Sequence, residues 1–521
     1  MADTDALGLW RIAEADPDHL AIVDPDHDTL TFGELAALTN RIVHGLRACG
    51  LEAGDQITTV LPNSFEQVAI CLAAYQGGFY VTTVNWHLVG PEISHIVNDS
   101  ETKALVVSAR FATEATRVIE DCVTPEANRF SIGGAVAGFR PWRELVDGHR
   151  DHRPDDLGPT GSFMFYTSGT TGRPKGVRRP LDPRHPDEAA AGGGLLYLFG
   201  TKPHDDNVQL TQAPLYHTAV NNWTTMSLHL GHTVVLMDKW TAEGALERIE
   251  RYRVTSSHMV PTMFNRMLQL PEEVRSGYDV SSCRYMVHAA APCPVETKKQ
   301  MIEWWGDSIW EYYAATEGGG TYVGAAEWMT KPGTVGRPWP ISEVIVVDDD
   351  GVELPPFESG TVFMKMGGGQ QFEYKGDDEK TRASRLRDFF TVGDIGYLDD
   401  DGYLFLNDRA NDMIIVGGLN VYPAEIEGAM VQHEAVGDVA VFGVPDADTG
   451  EQIKAVVELR DGWEPGEDTT AHIMGWLREQ IARQKLPRSI DYTADMPRDP
   501  NGKLYKRRLR DPYWEGHETA I

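Results

Sequence analysis

Between Leu30 and Gly50 the apolar positions Leu35, Leu38, Ile42, Val43 and Leu46 recur every three or four residues. That spacing predicts a helix with one buried face, and Gly50 stands where such a helix stops. Downstream, short apolar runs at 57–61, 80–84 and 104–107 alternate with helical stretches at 66–76 and 90–98. The same rhythm returns at 208–213, 234–237, 257–260 and 284–289, with a helix over 242–252. Strand and helix in alternation predict an α/β fold with a largely parallel sheet, arranged as two α/β lobes up to about residue 330.

Beyond Gly333 the character changes. Runs at 344–348, 361–366, 390–391 and 403–406 are short and turn-bounded, with turns at Asp350-Gly351 and Asp401-Gly402. They predict a small antiparallel, β-barrel-like subdomain over about 333–410, completing an N-terminal domain of residues 1–410. After that, Pro423 opens a helix carrying Ile426, Ala429 and Met430. Strands at 439–444 and 455–459 and a helix at 470–484 follow, so 411–521 is expected to be a compact, mobile α+β C-terminal domain.

Composition narrows the partners. The 521 residues carry a formal charge of −31, which argues against a nucleic-acid polymer or an anionic membrane surface as the ligand. Five cysteines without a C-x-x-C pair argue against a disulfide framework or a zinc ribbon. The acidic N-terminus has no secretory pattern and no run is apolar enough to span a bilayer, so a cytoplasmic protein is expected. A homodimer is left open.

The densest chemistry lies in Tyr166-Thr-Ser-Gly-Thr-Thr-Gly-Arg-Pro-Lys-Gly176. Gly169, Gly172 and Gly176 let backbone N–H groups converge on an anion. Thr167, Ser168, Thr170 and Thr171 add hydroxyls, and Lys175 adds a point charge. The glycine spacing differs from the G-x-x-x-x-G-K-[ST] phosphate loop. A polar hairpin turn is the bland alternative.

This stretch resembles the phosphate loop of the adenylate-forming superfamily, the acyl-CoA synthetases and their relatives. Four further segments match in order: Ala213-Pro-Leu-Tyr-His-Thr218; Tyr313-Ala-Ala-Thr-Glu317; Thr391-Val-Gly-Asp394 with the Asp408-Arg409 to Glu427 hinge region; and Pro497-Arg-Asp-Pro-Asn-Gly-Lys503. The resemblance covers about residues 30–509. It implies ATP, as Mg-ATP, and coenzyme A as co-substrates of a small carboxylic acid. Lys503 would bridge carboxylate and α-phosphate, Thr316 would contact that phosphate, and Glu317 would hold Mg²⁺ with Thr171. Asp394 would accept the ribose hydroxyls, supported by Arg409. Ala289, Ala290 and Ala291 would form the adenine slot, where relatives often carry glycine, with Tyr312 and Tyr313 as stacking faces. His217 would gate the acyl site, and Gly417 and Gly418 would line a thiol channel once the C-terminal domain rotates. Asn411 replaces the charged residue relatives carry at the hinge.

The expected pocket segments, 221–224, 258–261 and 318–321, hold no Lys or Arg. With Gly318, Gly319 and Gly320 expected to make room, they point to an apolar acid, a medium- or long-chain fatty acid or a steroid or bile-acid side-chain acid. An aryl acid is the alternative within the same chemistry. A non-catalytic nucleotide or acyl-CoA binding protein is the alternative outside it. Only eighteen residues follow Lys503, which argues for a free-standing ligase rather than a synthetase module. Positive charge gathers at Arg173, Lys175, Arg178 and Arg179, and again between Arg498 and Arg510, where phosphates are expected.

Overall fold

The computed structural model describes residues 7–167, 175–190, 194–315, 318–366, 372–375, 378–409, 412–416, 419–446, 449–498 and 504–515. The chain divides into two compact units. One comprises Met1–His258, Pro271–Val287 and Gly368–Ala383, and the other Met259–Leu270, His288–Gly367 and Ser384–Ile521.

The first unit holds two parallel sheets. In one, strands follow the order Arg140–Pro141, Arg129–Ile132, Ala104–Ser108, Gln56–Val60, Tyr80–Thr83, Ser162–Phe163, all parallel. Helices Phe32–Ala48, Phe65–Gly77 and Gly90–Asp99 occupy the connections at the expected places. Local chemistry fixes their ends. Thr31 and Glu34 form a reciprocal capping box, Ser64 caps the second helix, and Gly78 closes it in the left-handed conformation at φ +76°. The other sheet places Ser256–Met259, Val208–Thr211, Thr233–Leu236 and Leu20–Val23 in parallel, with the short antiparallel strand Thr29–Thr31 at its edge.

Buried strands of parallel sheets are usually continuous apolar runs. Here polar residues sit among them in bonded sets. Thr58 and Thr102 share a hydrogen bond of 2.6 Å, Gln56 Nε2 donates to Thr82 Oγ1 at 3.0 Å, and Ser256 Oγ donates to Gln209 Oε1 at 2.6 Å. Each buried polar atom so paired escapes the penalty of an unsatisfied group.

The second unit is mainly antiparallel. Strands Ile309–Ala315 and Gly318–Gly324 form a hairpin that the third strand, Arg337–Pro338, extends. Strands Ser342–Val347, Gly360–Met366, Arg385–Leu386, Phe389–Phe390, Asp394–Leu398 and Leu404–Arg409 form a sheet that branches at Gly360–Met366. The C-terminal strands make a separate sheet of Ile414–Val416, Leu419–Val421, Val436–Asp446, Gly450–Leu459 and Ser489–Thr493. Helices Pro423–Met430 and Glu467–Gln480 cover it through Ile426, Met430, Ile473 and Leu477, all fully buried. The last strand, parallel to its neighbour, has no counterpart in the pattern read from sequence.

Among the described residues no helix is long and apolar enough to cross a membrane.

Candidate active site

Short antiparallel pairings flank segments of four of the sequence motifs. Strands Phe165–Thr167 and Lys175–Arg178 pair as Thr167↔Lys175, Tyr166↔Gly176 and Phe165↔Val177, so 168–174 is the connection of a hairpin. Ser168, Gly169, Thr170 and Thr171 lie outside the described residues, as does the side chain of Thr167. The stem is tied down from two sides. Tyr166 OH donates to Asp99 Oδ2 at 2.5 Å, and Lys375 Nζ donates to the Asp99 carbonyl and to Glu101 Oε1 at 3.2 Å. Burial, with the Asp99 carboxylate acting in the same direction, pushes the Tyr166 hydroxyl far above its ordinary pKa, so it remains a donor.

Ala315 pairs with Gly318, which leaves Thr316 and Glu317 as the two-residue connection of the next hairpin. Both lie outside the described residues. Its stem carries Tyr312 and Tyr313. Tyr312 is buried, which raises its hydroxyl pKa. Tyr313 OH donates to Asp394 Oδ2 at 2.6 Å, and Asp394 is 8% exposed. The register partner of Asp394 is Arg409, whose side chain lies outside the described set. Tyr313 therefore orients the carboxylate expected to meet the ribose, a role the sequence did not assign to it. The pairing involves residues 81 positions apart, a separation at which no local pattern operates.

Two of the glycines after Glu317 stand in close packing. A Cβ on Gly320 would lie 2.3 Å from the Tyr313 carbonyl oxygen and 2.8 Å from the Trp339 ring, and one on Gly319 would lie 3.1 Å from Met364 Cβ. Gly319 and Gly320 thus let the hairpin close on itself and on the neighbouring sheet.

His288 ends the strand Tyr285–His288, and Ala289, Ala290 and Ala291 follow. Ala289 is buried and its N–H donates to the Met259 carbonyl at 3.3 Å. Ala290 has φ +72°, a left-handed backbone that costs a non-glycine residue about 1–2 kcal/mol. The alanines that replace the usual glycines therefore retain a glycine-like conformation at their centre.

His217 caps helix Thr218–His229 after the buried loop Ala213-Pro-Leu215. Asn63, 6% exposed, donates to the carbonyls of Ala213 at 2.9 Å and Met237 at 2.8 Å, and its Oδ1 accepts from Leu215 N–H at 2.8 Å. Asn221 Nδ2 donates to the Leu215 carbonyl at 2.9 Å. Sequence reading missed Asn63, although its position just past a parallel strand, where α/β sheets bind ligands, is a usable signal. A half-exposed aromatic group stands beside His217. Tyr216 meets Trp86 edge-on, and Trp86 stacks on Phe111 at 5.0 Å. Of the expected pocket wall, Asn221, Trp223, Thr224, His258, Met259 and Val260 are almost fully buried, with Trp223 packed on Phe199 and His258.

In the C-terminal part, Val416 pairs with Leu419, the residues on either side of Gly417-Gly418 in sequence. Arg498 pairs with Leu504 across a single bridge, and Tyr505 N–H donates to the Pro497 carbonyl. Lys503, Gly417, Gly418 and Asn411 lie outside the described residues. The base of the Lys503 loop is anchored: Arg498 makes a two-pronged contact with Asp438 at 2.5 and 2.8 Å, and Lys506 pairs with Glu427 at 2.8 Å. Arg178 lies over the Tyr80 ring at 4.6 Å. Arg178, Arg498 and Lys506, all from the two basic islands, thus have partners within the protein.

For Mg²⁺, the described residues contain no group of three or more His, Cys, Asp or Glu side chains suited to a metal ion. The expected ligands, Glu317 and Thr171, fall on two of the connections named above.

Known proteins bear on this arrangement directly. Residues 9–370 match the family of AMP-binding enzymes and residues 425–503 match the AMP-binding enzyme C-terminal domain. The fatty acid–acyl-carrier-protein ligase ScoC of Streptomyces coeruleorubidus is 32% identical over 93% of this chain and 92% of its own. The long-chain-fatty-acid–CoA ligase FadD13 of Mycobacterium tuberculosis is 32% identical over 97% of both. The crystal structure of ATP-bound MatB from Rhodopseudomonas palustris superposes with a TM-score of 0.80 at 28% identity over 96% of both chains. The chain belongs to the family of AMP-binding enzymes and is an AMP-forming acid–thiol ligase of the adenylate-forming superfamily.

Proposed function

We propose that this ligase activates an apolar carboxylic acid, a medium- or long-chain fatty acid or a steroid side-chain acid, to an acyl-adenylate and passes the acyl group to coenzyme A. The observation that carries this reading is one strand. Ile309–Ala315 bears Tyr313, whose hydroxyl orients Asp394, and runs straight into Thr316 and Glu317.

Attack of a carboxylate on the α-phosphate joins two anions, so catalysis is mainly positioning and charge neutralisation. Lys503 supplies the cation between them, Thr316 a hydroxyl to the same phosphate, and 168–171 with Lys175 the cradle for the remaining phosphates. Asp394 accepts from the ribose hydroxyls beside Arg409, and Ala289–Ala291 with Tyr312 accommodate the base. Glu317 and Thr171 would hold Mg²⁺, whose chemistry is neutralisation of phosphate charge. Pyrophosphate leaves. The CoA thiol then passes Gly417-Gly418 near His217 and displaces AMP. The enzyme acts in the cytoplasm.

The apolar acid is supported by helix Thr218–His229 and strand Ser256–Met259, which contain no Lys or Arg. It is also supported by the names of ScoC and FadD13, both of which specify fatty acids. ScoC's name adds a carrier protein as a second acceptor to be tried. ATP–pyrophosphate exchange across fatty, steroidal, aryl and amino acids, followed by thioester formation with CoA or carrier protein, tests the proposal. Exchange is expected with fatty or steroidal acids and CoA-dependent product with the same acids. Exchange with amino acids alone would sink it.

A further inference from the structure

The loop proposed to hold the base is bracketed by two buried side chains that converge on one carboxylate. His288 precedes the loop and Lys298 follows it in helix Val295–Trp305, and both are fully buried. Lys298 Nζ donates to Glu311 Oε2 at 2.5 Å, and His288 Nε2 lies 3.7 Å from the same oxygen. Glu311 is the residue immediately before Tyr312 and Tyr313. Lys298 Nζ also lies 4.6 Å above the buried Trp328 ring, and the His288 ring meets Phe264 edge-on at 5.1 Å.

Removing a lysine and a glutamate from water is expensive, and replacing such a pair by apolar groups is often neutral or stabilising. The burial of Glu311 by itself raises its pKa, opposed by Lys298. What the pair can supply is geometry. Lys298 fixes the start of its helix, where its N–H donates to the Pro294 carbonyl. His288 fixes the end of its strand, and Glu311 ties both to the strand that orients Asp394. Between them lies Ala290 at φ +72°, a conformation that its neighbours must enforce.

We propose that His288, Glu311 and Lys298 are positioning residues that hold Ala289–Ala291 in the shape that accepts adenine, and so set nucleotide affinity and base selectivity. This rests on the assignment of the alanine loop to the base.

The test compares ATP and GTP as substrates in pyrophosphate exchange for the full-length protein. The Lys298→Met/Glu311→Leu double variant leaves no unpaired member of the ion pair and is expected to fold. Its KM for ATP should rise about tenfold and its preference for ATP over GTP should fall by a similar factor, with the KM for the acid within about twofold of the parent. Adding Ala290→Gly should recover part of the loss, because glycine takes φ +72° unaided. A folded double variant with ATP KM and ATP/GTP ratio within about twofold of the parent overturns the proposal. If the double variant does not fold, His288→Gln decides: unchanged base preference overturns the proposal, and a reduced one supports it. ATP binding measured by calorimetry separates this from the functional reading. Absence of exchange with any acid defeats the proposed reaction, whereas the change in ATP affinity of the variants still decides the role of the three residues.

Discussion

The parallel sheets of the first unit and the antiparallel stems that end in the sequence motifs use polar residues in opposite ways. Inside the sheets, Thr58, Thr102, Gln56, Gln209 and Ser256 are buried and bonded to one another, so their polarity is consumed by the fold. At the stems, polar groups such as Tyr166, Tyr313 and Arg498 tie one segment to another, and the motifs proposed for chemistry adjoin them in sequence. Substitutions in the two regions should therefore register differently. Damage to the sheets should appear as lost stability, and damage beyond the stems as lost turnover.

Lys503→Ala should have the largest effect on turnover. Adenylation should slow by about a hundred- to a thousandfold, the usual worth of one preorganised electrostatic stabiliser, while the melting temperature stays within about two degrees of the parent. Unchanged turnover would remove Lys503 from the mechanism. A large fall in melting temperature would show that the loop belongs to the scaffold.

Asn63→Ala addresses the other side. It strips partners from the Leu215 N–H and from two buried carbonyls, and should destabilise the fold by about 3 kcal/mol in urea titration. A loss below about 1 kcal/mol would mean that the loop before His217 is held by other contacts.

Acid should act on the sheets before it acts on the stems. Burial lowers the pKa of His229 and of His258 to about 4. Both folded values lie below the unfolded value of about 6.5, so the unfolded state binds the extra protons between these limits. Stability is therefore full above about pH 6.5 and falls as the pH drops towards 4, by up to about 3 kcal/mol per histidine. Urea titrations between pH 4.5 and 7 should show this slope, and His258→Gln should reduce it by one proton. A flat profile in the parent protein would contradict it.

The smallest expected effect is Ala290→Gly. Relief of the left-handed strain, less the entropy of an added glycine, should stabilise the protein by about 0.5–1 kcal/mol. Destabilisation would indicate that the Ala290 methyl makes a contact worth more than the strain.

Much of the fold was legible because helix and parallel-strand periods are local. The helices at Phe32–Ala48, Phe65–Gly77 and Ala242–Tyr252 fall within a few residues of their expected limits. The hairpin of Ile309–Ala315 with Gly318–Gly324 was less legible, because its glycine-rich second strand carries almost no apolar alternation and its pairing depends on glycines that admit Trp339. Of the candidate site, His217, Lys175, Asp394 and the alanine loop were proposed from motifs. Asn63, Asp99 and the cluster of His288, Lys298 and Glu311 were not, since each acts on a partner distant in sequence or across a turn of backbone.

Sequence alone determined the family, the order of the motifs and the residue types the chemistry needs, because charge, hydroxyl groups and glycines are properties of single positions and short spacings. Tertiary structure decided which of those groups have partners within the fold. Arg498 and Lys506 are taken by Asp438 and Glu427, Gly319 and Gly320 by close packing, and Tyr313 by Asp394. Such assignments turn on which partner lies within about 3 Å, the range of a hydrogen bond, and a distance of that kind is set by the folding of segments tens of residues apart.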